Sequence, residues 1–327
     1  MPEGMDKGGG ALPLLDVDLA RALARVGEIM RDTPTDGEGL AAQRDQMRRA
    51  SLWWNEDPAP LHEVRRLAIP AGARELDAIL YRPSAREDLP LYVFLHGGGF
   101  RFGDASSNAL QLRNIARDWG GCVLSLDYPH IPEAPFPHAV EAVGAAFRWL
   151  AGEGRARIGV DGARMAIGGA SAGANVSCGA VVQIGGAPAN AFLRAAALVV
   201  PVFDGSSDTA SMAAFGDGPH FPTRASAQQA WRDYLVDPAH DADPRASIMR
   251  ASPALFPPCF IAAAEMDIFR DGAARMAGRL ADAGGDVDCR VYRGMTHLFF
   301  GYARMVPTAR QCAADVAAFL ASRLPAA

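Results

Sequence analysis

The chain has 327 residues, 50% of them hydrophobic and 21% charged, the balance of a folded protein with a sizeable core. That composition excludes a wholly disordered, collagenous or coiled-coil chain. A formal net charge of −5 supplies no basic field for nucleic acid or anionic lipid, so neither a nucleic acid nor a membrane is expected as a partner.

Residues 1–13 are Gly/Pro-rich and read as a loose tail. Two amphipathic helices follow over 16–31 and 37–53, the first marked by Leu19, Leu23, Val26 and Ile29 at helical spacing. Strands are predicted over 63–69 and 76–82, an antiparallel pair joined by a turn at Pro70-Ala71-Gly72. The texture then alternates: strand 91–95, helix 108–119, strand 122–126, helix 138–150, strand 164–167, helix 172–183, strand 195–202. Continuous apolar strands separated by helices of a dozen residues imply an α/β protein whose parallel sheet is covered on both faces. Residues 204–245 break this rhythm, being polar and Pro/Gly-rich with one helical patch at 225–235, and read as an inserted lid. The alternation resumes with strand 259–264, helix 272–283, strand 287–292 and a last helix over 308–323.

The five cysteines, Cys122, Cys178, Cys259, Cys289 and Cys312, are odd in number and show neither zinc nor redox spacing. Cys122, Cys259 and Cys289 lie in strand-like apolar runs and are expected to be buried and reduced. The first 15 residues are Gly-rich and acidic, unlike a signal peptide. The longest apolar run, 195–203, is well short of the roughly 20 residues a membrane helix needs. A cytoplasmic protein is expected.

Two glycine-rich turns carry the chemistry. Gly169-Ala170-Ser171-Ala172-Gly173 matches G-x-S-x-G and lies between a predicted strand and a predicted helix. A serine at such a turn is exposed at the C-terminal edge of the sheet, with strained backbone and a helix N-terminus beside it. His96-Gly97-Gly98-Gly99-Phe100 follows another strand directly, and its glycines can turn N–H groups inward without Cβ obstruction. The N–H groups of Gly97, Gly98 and Ala172 are candidates to hold the oxyanion of a tetrahedral intermediate. Neither loop has the spacing of a phosphate-binding motif.

Among seven histidines, His297 follows the last strand, after the turn Arg293-Gly294-Met295-Thr296, on the edge where Ser171 is expected. His96 reads as a structural hydrogen-bonder, and His62, His138, His220 and His240 as surface residues. The carboxylate partner should follow the preceding strand, where Asp267 is the candidate. Glu265 and Asp271 are its competitors, the latter more naturally a helix-start residue. The order Ser171, Asp267, His297 gives a nucleophile, an orienting acid and a general base.

These features resemble the hormone-sensitive-lipase-like (bacterial family IV) esterases of the α/β-hydrolase superfamily. The resemblance is carried by the HGGGF loop and the serine turn, and by Asp127-Tyr128 followed by Pro132-Glu133 and Pro135-Phe136-Pro137. It continues in Ala264-Glu265-Met266-Asp267 with Arg270-Asp271, and in Tyr292 and Gly294-Met295 before His297 and Phe299-Phe300. Ala170, Ala174, Pro129, Ile268 and Phe269 depart from the family pattern, none of them removing a proton-transfer group.

The resemblance implies an α/β-hydrolase fold with a helical cap, divided as cap helices over 1–55, core over 56–203, cap insertion over 204–245 and core over 246–327. It implies a serine carboxylesterase acting on short- to medium-chain acyl esters, with a homodimer as one possible assembly. The alternatives are an amidase or N- or O-deacetylase of the same fold, or a non-catalytic ligand-binding relative. No metal or organic cofactor is implied, and the only expected small-molecule partner is the ester. Phe100, Phe102, Phe215 and Trp231 are the candidate substrate-binding residues, with Phe221, Trp53 and Trp54 as further aromatics. Arg101 reads as a surface salt-bridge former more readily than as a contact for an acidic substrate.

Overall fold

A computed structural model describes residues 13–326; the expected tail at 1–13 falls almost wholly outside them. In chain order the elements are α1 (Val17–Asp32), α2 (Gly39–Trp54), β1 (Glu63–Ala71), β2 (Arg74–Arg82), β3 (Leu89–Leu95), α3 (Ala109–Trp119), β4 (Cys122–Leu126), α4 (His138–Ala151), α5 (Gly154–Ile158), β5 (Val160–Ala170), α6 (Ala172–Gln183), α7 (Gly186–Ala189), β6 (Leu193–Val199), α8 (Ala210–Phe215), α9 (Arg224–Leu235), β7 (Cys259–Met266), α10 (Arg270–Asp282), β8 (Val287–Thr296) and α11 (Pro307–Arg323).

The eight strands form one sheet in the order β1-β2-β4-β3-β5-β6-β7-β8. The β1–β2 and β2–β4 pairs are antiparallel, and every pair from β4 to β8 is parallel. Side chains on a strand alternate between faces, and β3 shows what that does here. Leu91, Val93 and Leu95 enter one apolar cluster, with residues of α4 and α6, while Tyr92 and Phe94 enter a second, with α1, α3 and α11. Both faces are therefore buried, and all seven residues of β3 are buried with them. Helix α6 is buried from Ala172 through Val181, which explains its lack of charged residues; the buried Asn175 and Ser177 side chains donate to backbone carbonyls.

Several expectations change. The hairpin turn is Gly72-Ala73, because Ala71 pairs with Arg74 and Pro70 remains inside β1. An edge strand tolerates the missing N–H of proline. Strand β6 stops at Val199 rather than running to residue 202, because Val200 takes φ 43°, outside the strand region. Residues 204–245 hold two α-helices, not one, and a 3-10 helix at Pro238–Ala242: α8 is too short to show a helical period in sequence. Strand β8 runs to Thr296, so Arg293 to Thr296 is strand rather than turn. Gly294, at φ 68°, kinks this stretch and hides its alternation. Cys289, on the same edge strand, is exposed, whereas Cys122, Cys178, Cys259 and Cys312 are buried; all five are free thiols.

Candidate active site

Parallel strands bring their C-terminal ends to one edge of a sheet, and four side chains of interest each follow a strand with no intervening residue. His96 follows β3, Ser171 follows β5, Asp267 follows β7 and His297 follows β8. Ser171 occupies φ 53°, ψ −119°, a strained conformation for a residue with a Cβ. The turn is fixed from both sides: Ser171 N–H donates to the Val199 carbonyl at 2.9 Å, and the Ser171 carbonyl accepts from Ala174 and Asn175 as α6 begins. Gly173 must be bare, since a Cβ there would lie 2.2 Å from the Leu95 carbonyl oxygen.

The structure brings Ser171, His297 and Asp267 into one hydrogen-bonded line. Ser171 Oγ lies 2.7 Å from His297 Nε2, and His297 Nδ1 lies 2.7 Å from Asp267 Oδ2. The other Asp267 oxygen, Oδ1, accepts from Phe269 N–H at 3.0 Å. Because a carboxylate only accepts, Nδ1 carries the proton and Nε2 is left as the acceptor for the serine hydroxyl. Asp267 and His297 are 2% and 3% exposed, so the bond between them is shielded from water. The competing acids are committed elsewhere. Glu265 Oε2 accepts from Gly294 N–H at 2.7 Å, and Asp271 Oδ2 accepts from Ser211 N–H at 2.7 Å, in the first turn of α8.

The glycine loop lies against the serine: a Cβ on Gly97 would be 3.4 Å from Ser171 Cβ. Its turn is closed by Arg101 and Phe102 N–H groups donating to the Gly98 carbonyl, at 3.1 and 2.9 Å. Arg44, on α2, braces it from outside. Its guanidinium donates to the Arg101 and Ile131 carbonyls at 2.9 and 2.8 Å and grips Glu133 with two bonds of 2.8 Å. The Arg44 guanidinium holds the Glu133 carboxyl down to about 2. Arg101 pairs with Asp233 of α9 at 2.5 Å, the salt-bridge reading, so its charge is committed within the protein.

His96 is buried in this loop, its Nδ1 2.9 Å from the Gly97 carbonyl. With Asp127 and His130 it forms a cluster of metal-capable side chains, found once among the described residues. His62 and His138 are exposed, as expected of surface residues. His240 instead packs edge-on against Phe136 at 5.1 Å.

A cavity of about 510 Å³ opens over Ser171 and His297. Phe100, Phe102 and Trp231 line it, as do Trp54 and Phe221. Phe215 does not. It is buried in a separate cluster with Met212 and Ile268, with the Arg270 guanidinium over its ring at 5.6 Å. Trp53 is also absent from the lining; it is held between the guanidinium groups of Arg25 and Arg304, at 4.8 and 4.0 Å. The sequence reading overlooked Phe269 and Phe300, which complete the apolar wall. Both flank a proposed site residue, at positions 267 and 297, and that adjacency was the available signal.

Comparison with known proteins gives the family of the chain. A family model described as the alpha/beta hydrolase fold matches residues 92–301. The chain is 38% identical over 246 residues to the carboxylic ester hydrolase LipN of Mycobacterium tuberculosis, covering 72% of this chain and 64% of LipN, just under two thirds of that protein's length. It is 31% identical over 286 residues to the esterase LipI of the same organism, covering 84% of this chain and 85% of LipI. An esterase from Pyrobaculum calidifontis superposes with a TM-score of 0.85 at 26% identity, covering 94% of this chain and 98% of that one. Among the described residues no helix is long and apolar enough to cross a membrane. An eight-stranded sheet with this strand order, a family match over most of the chain and esterase relatives along its length lead to one conclusion: the chain belongs to the α/β-hydrolase fold family, in its hormone-sensitive-lipase-like branch of bacterial esterases.

Proposed function

We propose that this chain is a serine carboxylesterase hydrolysing short- to medium-chain acyl esters, with Ser171 as nucleophile, His297 as general base and Asp267 as the orienting acid. The observation that carries the proposal is the line Ser171–His297–Asp267, with both contacts at 2.7 Å and the serine on a strained strand-to-helix turn. The names of the relatives LipN and LipI agree with it.

In this reading Ser171 Oγ attacks the ester carbonyl carbon as its proton passes to His297 Nε2. The carbonyl π electrons move to oxygen, and the N–H groups of Gly97, Gly98 and Ala172 receive the oxyanion. Ala172 is suited to this because it opens α6, where an N–H has no acceptor inside the helix. Collapse of the intermediate breaks the bond to the alcohol oxygen, which takes the proton from His297. Water then repeats the sequence on the acyl-enzyme, releasing the acid and restoring Ser171. Asp267 keeps the imidazole in the tautomer that can accept, and stabilises it once charged.

Helices α1 and α2 with residues 204–245 form the cap in this proposal, since α2, α9 and their flanks supply the outer cavity wall. The aromatic lining of Trp54, Phe102, Phe221 and Trp231 suits an acyl chain, and a volume of about 510 Å³ is at the smaller end of ligand sites. The test is hydrolysis of p-nitrophenyl acetate, butyrate, octanoate and palmitate by wild type and Ser171→Ala. We expect turnover to be greatest on the two short esters and to vanish in the variant. Activity persisting in Ser171→Ala would sink the assignment of the nucleophile, and preference for palmitate would sink the chain-length reading.

A further inference from the structure

Two histidines outside this chemistry converge on a single carboxylate beside the glycine loop. The His96 ring is fully buried, and its Nδ1 faces the Gly97 carbonyl, which can only accept, so the proton lies on Nδ1. That tautomer leaves a bare lone pair on Nε2, which faces Asp127 Oδ1 at 3.4 Å. Two acceptors therefore oppose each other, and the gap exceeds the roughly 2.7–2.9 Å of a charge-assisted hydrogen bond. His130 Nε2 faces the same Asp127 oxygen at 3.8 Å, and it is buried with no hydrogen-bond partner. The three atoms all lie within 4.8 Å of one another. Tyr128 fixes both rings, stacking on His96 at 4.7 Å and meeting His130 edge-on at 5.0 Å.

We propose that His96 Nε2, Asp127 Oδ1 and His130 Nε2 form a binding site for a divalent first-row transition-metal ion of the zinc class, apart from Ser171 and its partners. Two imidazoles and a carboxylate are a donor set such ions favour. Metal-bound histidines characteristically donate their second ring N–H to a backbone carbonyl or carboxylate, as His96 does to Gly97. Tetrahedral arms of about 2.0–2.1 Å set ligand atoms roughly 3.4 Å apart. The 3.4 and 3.8 Å edges at Asp127 are near that length, and the third edge, between the two rings, is within 4.8 Å. Asp127 is 30% exposed, which provides an entry path and room for a water as fourth ligand. A proton is the rival occupant, but protonating His96 would satisfy only that ring and leave His130 Nε2 unpartnered. A bound ion ties the first residue of the glycine loop to the segment 127–130.

The test uses the full chain stripped of metal with a chelator, titrated with Zn²⁺ in a calorimeter as wild type, His130→Gln and His297→Ala. We expect one equivalent to bind wild type, at least tenfold weaker binding in His130→Gln, and unchanged binding in His297→Ala. X-ray absorption of the zinc-loaded wild type should show two imidazole ligands and no sulfur. Absence of binding to wild type, equal affinity in His130→Gln, or fewer than two imidazoles at the metal would each overturn the site. The spectrum decides on wild type alone should His130→Gln not fold. Because metal binding is read independently of ester turnover, its failure leaves the esterase proposal standing, and the reverse also holds.

Discussion

Gly98 is the position where a single methyl group does most harm at the proposed oxyanion loop. It takes φ +134°, and a Cβ there would lie 1.9 Å from the Phe102 carbonyl oxygen, so the loop must open. Gly99, at φ +60°, would bring its Cβ no nearer than 4.0 Å to the Ala230 methyl. We expect Gly98→Ala to lower kcat on a short ester roughly 10²–10³-fold, the scale of losing an oxyanion donor, and Gly99→Ala to cost less than tenfold. Equal losses would show that the loop is not the element holding the oxyanion. A second contrast separates cavity from core. Phe221 is 58% exposed at the cavity rim, whereas Phe215 is buried away from it. Phe215→Ala should cost about 3–5 kcal/mol of stability with KM unchanged, and Phe221→Ala should raise KM with little effect on thermal unfolding. The sequence could not separate these phenylalanines, because both lie in one polar insertion and their fates depend on how α8 docks on the Asp267 loop. Ser171, Asp267 and His297 were legible as candidates because each lies just beyond an apolar run that reads as a strand.

At the scale of elements, α2 and the glycine loop are joined by one arginine. Glu133 is held down to about 2 from its ordinary 4.5 by Arg44, so the folded state binds its proton more weakly than the unfolded one. The stabilisation is therefore present in full above about pH 4.5 and is lost as pH falls toward 2. Glu133 is mostly exposed, so the effect is modest and sensitive to salt. In thermal unfolding, wild type should exceed Glu133→Gln in Tm at pH 6, with the gap closing by about pH 2.5 and narrowing in high salt. A gap independent of pH would show that the ion pair is not its source. Arg44 had no signal in the sequence, since nothing about an arginine in an amphipathic helix says which loop it will reach across 89 residues. Strand β5 was legible only over 164–167 of Val160–Ala170, its first residues being partly exposed, whereas β4 and α6, buried almost throughout, were legible to the residue. The end of β8 was not, because Gly294 breaks the period-two pattern while Glu265 restores the hydrogen bond that the kink would waste.

At the scale of the molecule, the order β1-β2-β4-β3-β5-β6-β7-β8 places the strands leading into Ser171, Asp267 and His297 within one half of the sheet. Sequence shows which strands exist and that they are parallel; it does not show that β4 inserts between β2 and β3, since pairing order is a property of crossovers and not of local pattern. The backbone of Ser171 has a bearing on protein engineering. A residue at φ 53°, ψ −119° carries about 1–3 kcal/mol of strain, and any non-glycine replacement inherits it. Against a total stability of about 5–15 kcal/mol, that is an appreciable handicap borne by every strand and helix that holds the turn. Hardening this protein for use at elevated temperature is therefore best attempted far from the turn, in exposed positions such as Val64 on β1, where gains need not relax the geometry on which the proposed nucleophile depends.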